Sequence, residues 1–107
     1  MIAVIFELEP RADMGQRYFQ LAEELKASLM RMDGFISIER FQSVTRSGRY
    51  LSLSFWRDED AVKAWRTWEQ HRAAQSEGRA SVFADYRLRV AHVIRDYGLH
   101  DRAEVPT

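Results

Sequence analysis

The sequence predicts an α+β domain of the ferredoxin-like type, and three observations carry that expectation. Four short runs rich in β-branched and aromatic residues alternate with two segments whose apolar residues recur at helical spacing. Their order is β-α-β-β-α-β, which gives a four-stranded antiparallel sheet with both helices on one face. The strands also keep apolar residues on both sides, for instance Phe35 and Phe41 opposite Ile36 and Ile38. A sheet with one face open to water would be polar on that face. A second copy packed sheet to sheet explains the pattern, so a two-fold homodimer is expected.

Each element follows from local chemistry. Ile2 to Glu9 (IAVIFELE) is β-branched, apolar on both faces near its start, and ended by Pro10, as a central strand would be. Gln16 to Met32 places Tyr18, Leu21, Ala22, Leu25, Leu29 and Met32 along one helical stripe, with Glu23, Glu24 and Lys26 opposite. Asp33-Gly34 supplies a residue free to leave the helix in the left-handed region. Phe35 to Val44 alternates, with Ile36 and Ile38 on one side and Phe35, Ser37, Glu39 and Phe41 on the other. Thr45-Arg46-Ser47-Gly48 reads as a hairpin loop, and Tyr50 to Trp56 (YLSLSFW) alternates Leu51, Leu53 and Phe55 with Ser52, Ser54 and Trp56. Asp58-Glu59-Asp60 puts carboxylates where a helix dipole favours them, and that helix runs to Gln75. Ser76 to Ala84 reads as an irregular or short helical connection. Tyr86 to Tyr97 is the last strand, with Tyr86, Leu88, Val90, His92 and Ile94 on one face. The domain thus covers residues 1–97, and 98–107 form a polar tail expected to fray.

Composition narrows the function. Sixteen basic residues balance sixteen acidic ones, so neither nucleic acid nor an anionic membrane is an expected partner. The absence of cysteine removes disulfide frameworks and thiolate metal sites. The opening MIAVIFELEP lacks a basic n-region, and no apolar run approaches the ~20 residues of a membrane span. A cytoplasmic protein is the default expectation. No phosphate loop, nucleophile elbow or paired-carboxylate signature is present.

The chemistry gathers on WRTWEQHRAAQ, residues 65–75. Ala61, Trp65, Trp68, Arg72 and Gln75 share one stripe that begins small, turns aromatic and ends polar, with His71 at its edge. Plain packing accounts for Trp65 as an anchor of the helix on the sheet. Two indoles three residues apart followed by polar groups also fit the wall of a ligand cavity. There His71 would serve as a general base or hydrogen-bond partner, and Arg72 would stabilise an anion. Each has a plainer alternative: His71 bonded to backbone or solvent, and Arg72 in a salt bridge to Asp85 or Glu39. The three histidines His71, His92 and His100 lie on separate elements without paired zinc spacing, so no metal is expected. Glu39, Ser52 and Ser54 are further candidates, placed on the sheet side opposite Ile38, Leu51 and Leu53. Arg87, Arg89 and Arg95 are expected to meet Glu39 or Glu7 in an interface charge network.

The element order, Asp33-Gly34-Phe35 before the second strand, LSLSFWRDEDAVKAW and WEQHRAAQSEGR together resemble the antibiotic biosynthesis monooxygenase (ABM) family over residues 1–97. The resemblance implies a dimeric α+β barrel with a cavity between sheet and second helix in each protomer. It also implies one of three activities: cofactor-free oxygenation of aromatic phenols, quinol oxidation, or haem degradation. In the cofactor-free route Trp65 and Trp68 would stack on the substrate ring, Gln75 would complete the wall, His71 would act as base and Arg72 would favour the anion. The haem branch uses an asparagine on the first strand, a tryptophan on the second helix and a histidine ten residues later. Trp65 meets the second requirement, but Gln75 stands ten residues on and IAVIFELE has no asparagine. Haem is therefore disfavoured, and the expected function is a cofactor-independent monooxygenase acting on a small aromatic phenol or quinol. A non-catalytic dimeric ligand-binding or stress protein on the same fold is the alternative.

Overall fold

A computed structural model describes residues 1–75 and 82–106, the side chains of residues 70–75 apart. Its elements are β1 (Ile2–Pro10), α1 (Gly15–Met30), β2 (Phe35–Gln42), β3 (Tyr50–Trp56), α2 (Glu59–Gln75) and β4 (Phe83–His92). All neighbouring strands are antiparallel, in the order β2-β3-β1-β4. The ferredoxin-like expectation therefore holds in order and in sheet topology. Among the described residues no helix is long and apolar enough to cross a membrane.

Three turns fix the frame. Gly34 adopts φ 85° and its carbonyl accepts the Arg57 N–H at 2.7 Å, tying the start of β2 to the end of β3. The Arg57 guanidinium reaches both oxygens of Asp33 (3.2 and 3.0 Å) and Asp58 Oδ2 at 2.8 Å. These bonds hold the Asp33 carboxyl below its usual pKa. Asp58 Oδ1 accepts the Ala61 N–H at 2.9 Å, capping α2 ahead of its acidic first turn. The β2–β3 hairpin closes through Ser43 N–H to the Arg49 carbonyl at 2.9 Å, with Gly48 at φ 79°.

A methyl group at Gly34 would stand 2.6 Å from Ala61 Cβ on the buried first turn of α2. Gly34→Ala combines that overlap with a left-handed backbone, so the expected loss exceeds about 1 kcal/mol. Urea denaturation would show it as a lower midpoint, whereas Gly48→Ala, with nothing within 4 Å, isolates the backbone cost alone.

The sheet's two faces differ from the alternation read in the sequence at one place. The β2 register shifts between Phe35 and Ser37, leaving Ile36 as the extra residue, 52% exposed. The extra residue puts Phe35 and Ser37, which strict alternation would place on one face, on opposite faces, paired with Trp56 and Phe55 respectively. Phe35 consequently turns inward and meets Trp56 edge-on at 5.3 Å, while Ile38 lies on the same inner face opposite Ser54. The expected grouping of Ile36 with Ile38 and of Phe35 with Phe41 is thus corrected. Beyond the bulge the strands align in rows. Ile2, Val4, Phe6 and Leu8 of β1 share the inner face with Trp56, Ser54, Ser52 and Tyr50 of β3. Ile5, Leu51, Leu53 and Phe55 occupy the outer face, where both helices are absent.

The remaining differences are at the ends. The last strand begins at Phe83 rather than Tyr86 and stops at His92 rather than Tyr97, although Tyr86, Leu88, Val90 and His92 do share a face. After Val93 donates to the Met1 carbonyl, the chain leaves the sheet. The tail bonds to itself: Gly98 N–H to the Asp101 carbonyl at 2.8 Å, and Asp96 N–H to Glu104 Oε2 at 2.9 Å. Most of the expected 76–84 connection lies outside the described residues.

Candidate functional site

The inner face carries two apolar clusters instead of one continuous core. The first joins Ile2, Leu29, Trp56, Ala61, Val62 and Trp65. The second joins Leu8, Tyr18 and Val82, with Phe6, Tyr50 and Phe83 packed against it. Members of both clusters line a cavity of about 260 Å³ enclosed by the sheet, α1 and α2. Two close-packed clusters bridged by an unfilled space are what a ligand pocket looks like from the side of packing.

Its walls come from four directions. The sheet contributes Val4, Phe6, Ile38, Ser52, Ser54 and Trp56; α1 contributes the stripe Tyr18, Leu21, Ala22, Leu25 and Leu29. From α2 come Val62, Trp65, Arg66 and Glu69. Phe83, at the start of β4, meets Phe6 at 5.6 Å and Tyr18 at 5.8 Å to close one end. At the other end Trp56 faces Trp65 across 6.4 Å, and Trp65 stacks on Trp68 at 5.0 Å and 19°. The Trp56 indole donates to Ser54 Oγ at 3.0 Å, so the one polar atom of that ring is satisfied inside the wall.

The sequence-predicted site residues fare differently. Trp65 is buried, 8% exposed, and serves both readings at once: it anchors α2 and lines the cavity. Trp68 is half-buried and stands behind Trp65 through the stack. His71, Arg72 and Gln75 belong to the last turns of α2, and their side chains lie outside the described set. Ser52 and Ser54 do line the cavity, but on the same side as Ile38, which is the reverse of the expected pairing. Glu39 pairs with Leu53 on the outer face and so is separated from both serines. The expected meeting of Arg89 with Glu7 occurs within one chain, at 3.2 Å, where Arg49 joins at 3.1 Å.

Two residues that the sequence reading passed over shape the site. Arg40 points into the cavity from β2, opposite Ser52, and its Nε is buried with no hydrogen-bond partner among the described residues. Tyr18 lies beside it. Burial raises the Tyr18 hydroxyl's pKa, and the Arg40 guanidinium within hydrogen-bonding reach offsets part of that rise. The signal for Arg40 was present: two residues past inward-facing Ile38, a strand repeat of two sends it to the same apolar face.

Among the described residues the lining contains no imidazole, thiolate or thioether, and no group of three His, Asp or Glu could take a metal ion; the His71 side chain lies outside them. The described lining is an apolar chamber with aromatic ends, two serine hydroxyls, one phenol, two guanidinium groups (Arg40 and Arg66) and one carboxylate (Glu69).

Architecture and site together define a ferredoxin-like α+β domain built around a ligand-sized cavity. The model of the antibiotic biosynthesis monooxygenase family matches residues 1–77, and the chain belongs to that family. It is 46% identical over 93 residues to a protein of the fungus Pyricularia oryzae called jasmonate monooxygenase ABM, covering 87% of this chain and 43% of that one. The chain therefore spans less than half of that relative's length. Among solved structures it resembles an antibiotic biosynthesis monooxygenase family member from Deinococcus radiodurans (TM-score 0.76, 13% identity, covering 92% of this chain and 98% of that one). It also resembles MhuD, a haem degrader of Mycobacterium tuberculosis solved with two haems in its active site (TM-score 0.69, 22% identity, covering 92% and 100%). At these identities the two structures speak for the fold alone.

Proposed function

We propose that the protein is a homodimeric monooxygenase that oxidises a small aromatic phenol or quinol with O₂ inside the cavity, without haem or metal. The observation that carries this reading is the cavity itself: it adjoins the tryptophan pair, is largely apolar, and has aromatic groups at both ends. Membership of a family named for monooxygenases supports oxygenation as the chemistry. A phenol is also its own reductant. A phenol with hydrogen on the attacked ring carbon plus O₂ gives a quinone plus water: the ring C–H and phenolic O–H bonds break, a second C=O forms, and the substrate surrenders four electrons to O₂. No external electron donor is consumed. Within this proposal Trp65, backed by Trp68, faces the ring and Gln75 completes the wall. His71 takes the phenolic proton and Arg72 offsets the resulting anion.

A second reading is favoured by one finding, the 46% identity to a jasmonate monooxygenase. Its substrate would be an alicyclic carboxylate. Hydroxylating a saturated C–H bond consumes two further electrons, so this reading requires an added reductant such as a reduced nicotinamide or flavin.

Titration with a hydroxynaphthalene and quinol panel, followed by an oxygen electrode, separates these. The expected result is O₂ uptake without added reductant, one O₂ per quinone formed from a phenol. Uptake only with a carboxylate and reductant would favour the second reading. Binding without any uptake would make the protein a non-catalytic ligand binder. A haemin complex whose Soret shift is lost in His71→Ala would move it to the haem branch.

A further inference from the structure

We infer that Arg40 is the anchor for an anionic head group, so that the cavity selects amphipathic ring compounds bearing a carboxylate over their neutral counterparts. This rests on the reading of the cavity as the ligand site. A guanidinium on the inner face of a sheet is costly unless its charge is paired, because burial strips its hydration. Here Arg40 stands between the two apolar clusters, facing the same space as Val4, Phe6 and Ile38. Its Nε remains unpartnered among the described residues, and the phenol beside it is a neutral group, since burial raises its pKa. Tyr18 therefore does not neutralise the charge, and the carboxylate of the lining, Glu69, comes from α2 rather than from the sheet that carries Arg40.

The position is also well suited to hold an anion still. Arg40 lies in the β2 row opposite Ser52, two residues beyond Ile38, so backbone pairing fixes where its stem leaves the sheet. The planar fork donates two parallel hydrogen bonds to a carboxylate, and Ser52, also in the lining, is a neighbouring donor. With Arg40 at the sheet and Trp65 on the helix, a ligand would be gripped by its charge at one point and by its ring at another.

The test is a matched pair of ligands, 1-naphthylacetate and the neutral 1-naphthylacetamide, titrated into the full chain and followed by tryptophan fluorescence. The expected result is that the acid binds at least tenfold more tightly than the amide. Arg40→Gln should bring the two to nearly equal affinity by weakening the acid far more than the amide, and amide binding that survives shows that the variant's cavity is intact. Arg40→Lys should keep a reduced preference, because an ammonium supplies charge without the fork. The comparison on the unaltered protein needs no variant at all. Equal binding of acid and amide there, or a preference that persists in Arg40→Gln, overturns the assignment of Arg40 but leaves the cavity as a ligand site. Failure of both compounds to bind overturns the cavity reading and this inference with it.

Discussion

Trp65→Ala is expected to lower the stability of the domain by about 3–5 kcal/mol, the usual range for deleting a buried indole. The side chain lies in the larger apolar cluster, in ring contact with Trp56 and Trp68. Its removal would also merge the vacated space with a cavity that already measures about 260 Å³. Neighbours cannot close that space by a small shift, since the opposite wall is a hydrogen-bonded sheet whose nearest ring, Trp56, is fixed by its bond to Ser54. The cavity contribution therefore comes on top of the lost burial. Domains of this size hold roughly 5–15 kcal/mol in all, so the variant would retain a fraction of its stability. Urea denaturation followed by circular dichroism measures the loss. Trp65→Phe, which keeps an aromatic ring in the stack, should recover most of it, and Trp68→Ala, removing a half-buried ring, should cost less than Trp65→Ala. A loss below about 1 kcal/mol for Trp65→Ala would show that the indole spans empty space without supporting α2.

The same residue shows how far the sequence could be read. The order of elements, the hairpin and the capped start of α2 were legible because each depends on neighbours within a few positions: alternation, Gly34, Gly48 and Asp58. The inner and outer faces of β3 were legible for the same reason. Alternation failed at β2 because a bulge inserts one residue, and nothing in FISIERFQ distinguishes an inserted Ile36 from a paired one. The pairing that reveals it is with β3, and Phe35 meets Trp56 across 21 positions of chain. Tertiary pairing decides such a slip, and local periodicity cannot see it.

The candidate site divides along the same line. WRTWEQHRAAQ announced itself by composition, and its first tryptophan does line the cavity. The cavity-facing stripe of α2, however, runs through Val62, Trp65, Arg66 and Glu69, displaced around the helix from Ala61, Trp65 and Trp68. Two stripes that share one residue are hard to tell apart when indoles bias the choice toward the aromatic one. Arg40 and Tyr18 come together from β2 and α1, and only the folded sheet brings them side by side. A charged residue at an inward strand position is the kind of local conflict that marks function more often than stability.

Leu53→Arg is expected to convert a dimer into monomers, and this is the sharper test of the proposed assembly. Leu53 sits in the middle strand pair of the outer face, in the row Ile5, Leu53 and Glu39, with Leu51 and Phe55 two residues away on the same side. Among the described residues of one chain no helix covers this face, and Phe41 at the edge is 43% exposed. If a second sheet packs there, symmetry brings the introduced charge into the apolar layer twice. Burying an added guanidinium in a packed layer costs on the order of several kcal/mol in desolvation even beside the carboxylate of Glu39, and about 1.4 kcal/mol is a factor of ten, so association should weaken by roughly a hundredfold or more. Analytical ultracentrifugation across a concentration series reads this directly, with Gln20→Arg on the exposed side of α1 as a control that leaves the dimer intact. A parent protein that sediments as a monomer, or a Leu53→Arg variant that still dimerises, would place the partner elsewhere. Because Ser52 and Ser54 face the cavity while Leu53 faces away, the substitution leaves the ligand site untouched. Oxygen uptake measured on the same variant then reveals whether the site works in a single protomer or needs the second sheet to stay closed.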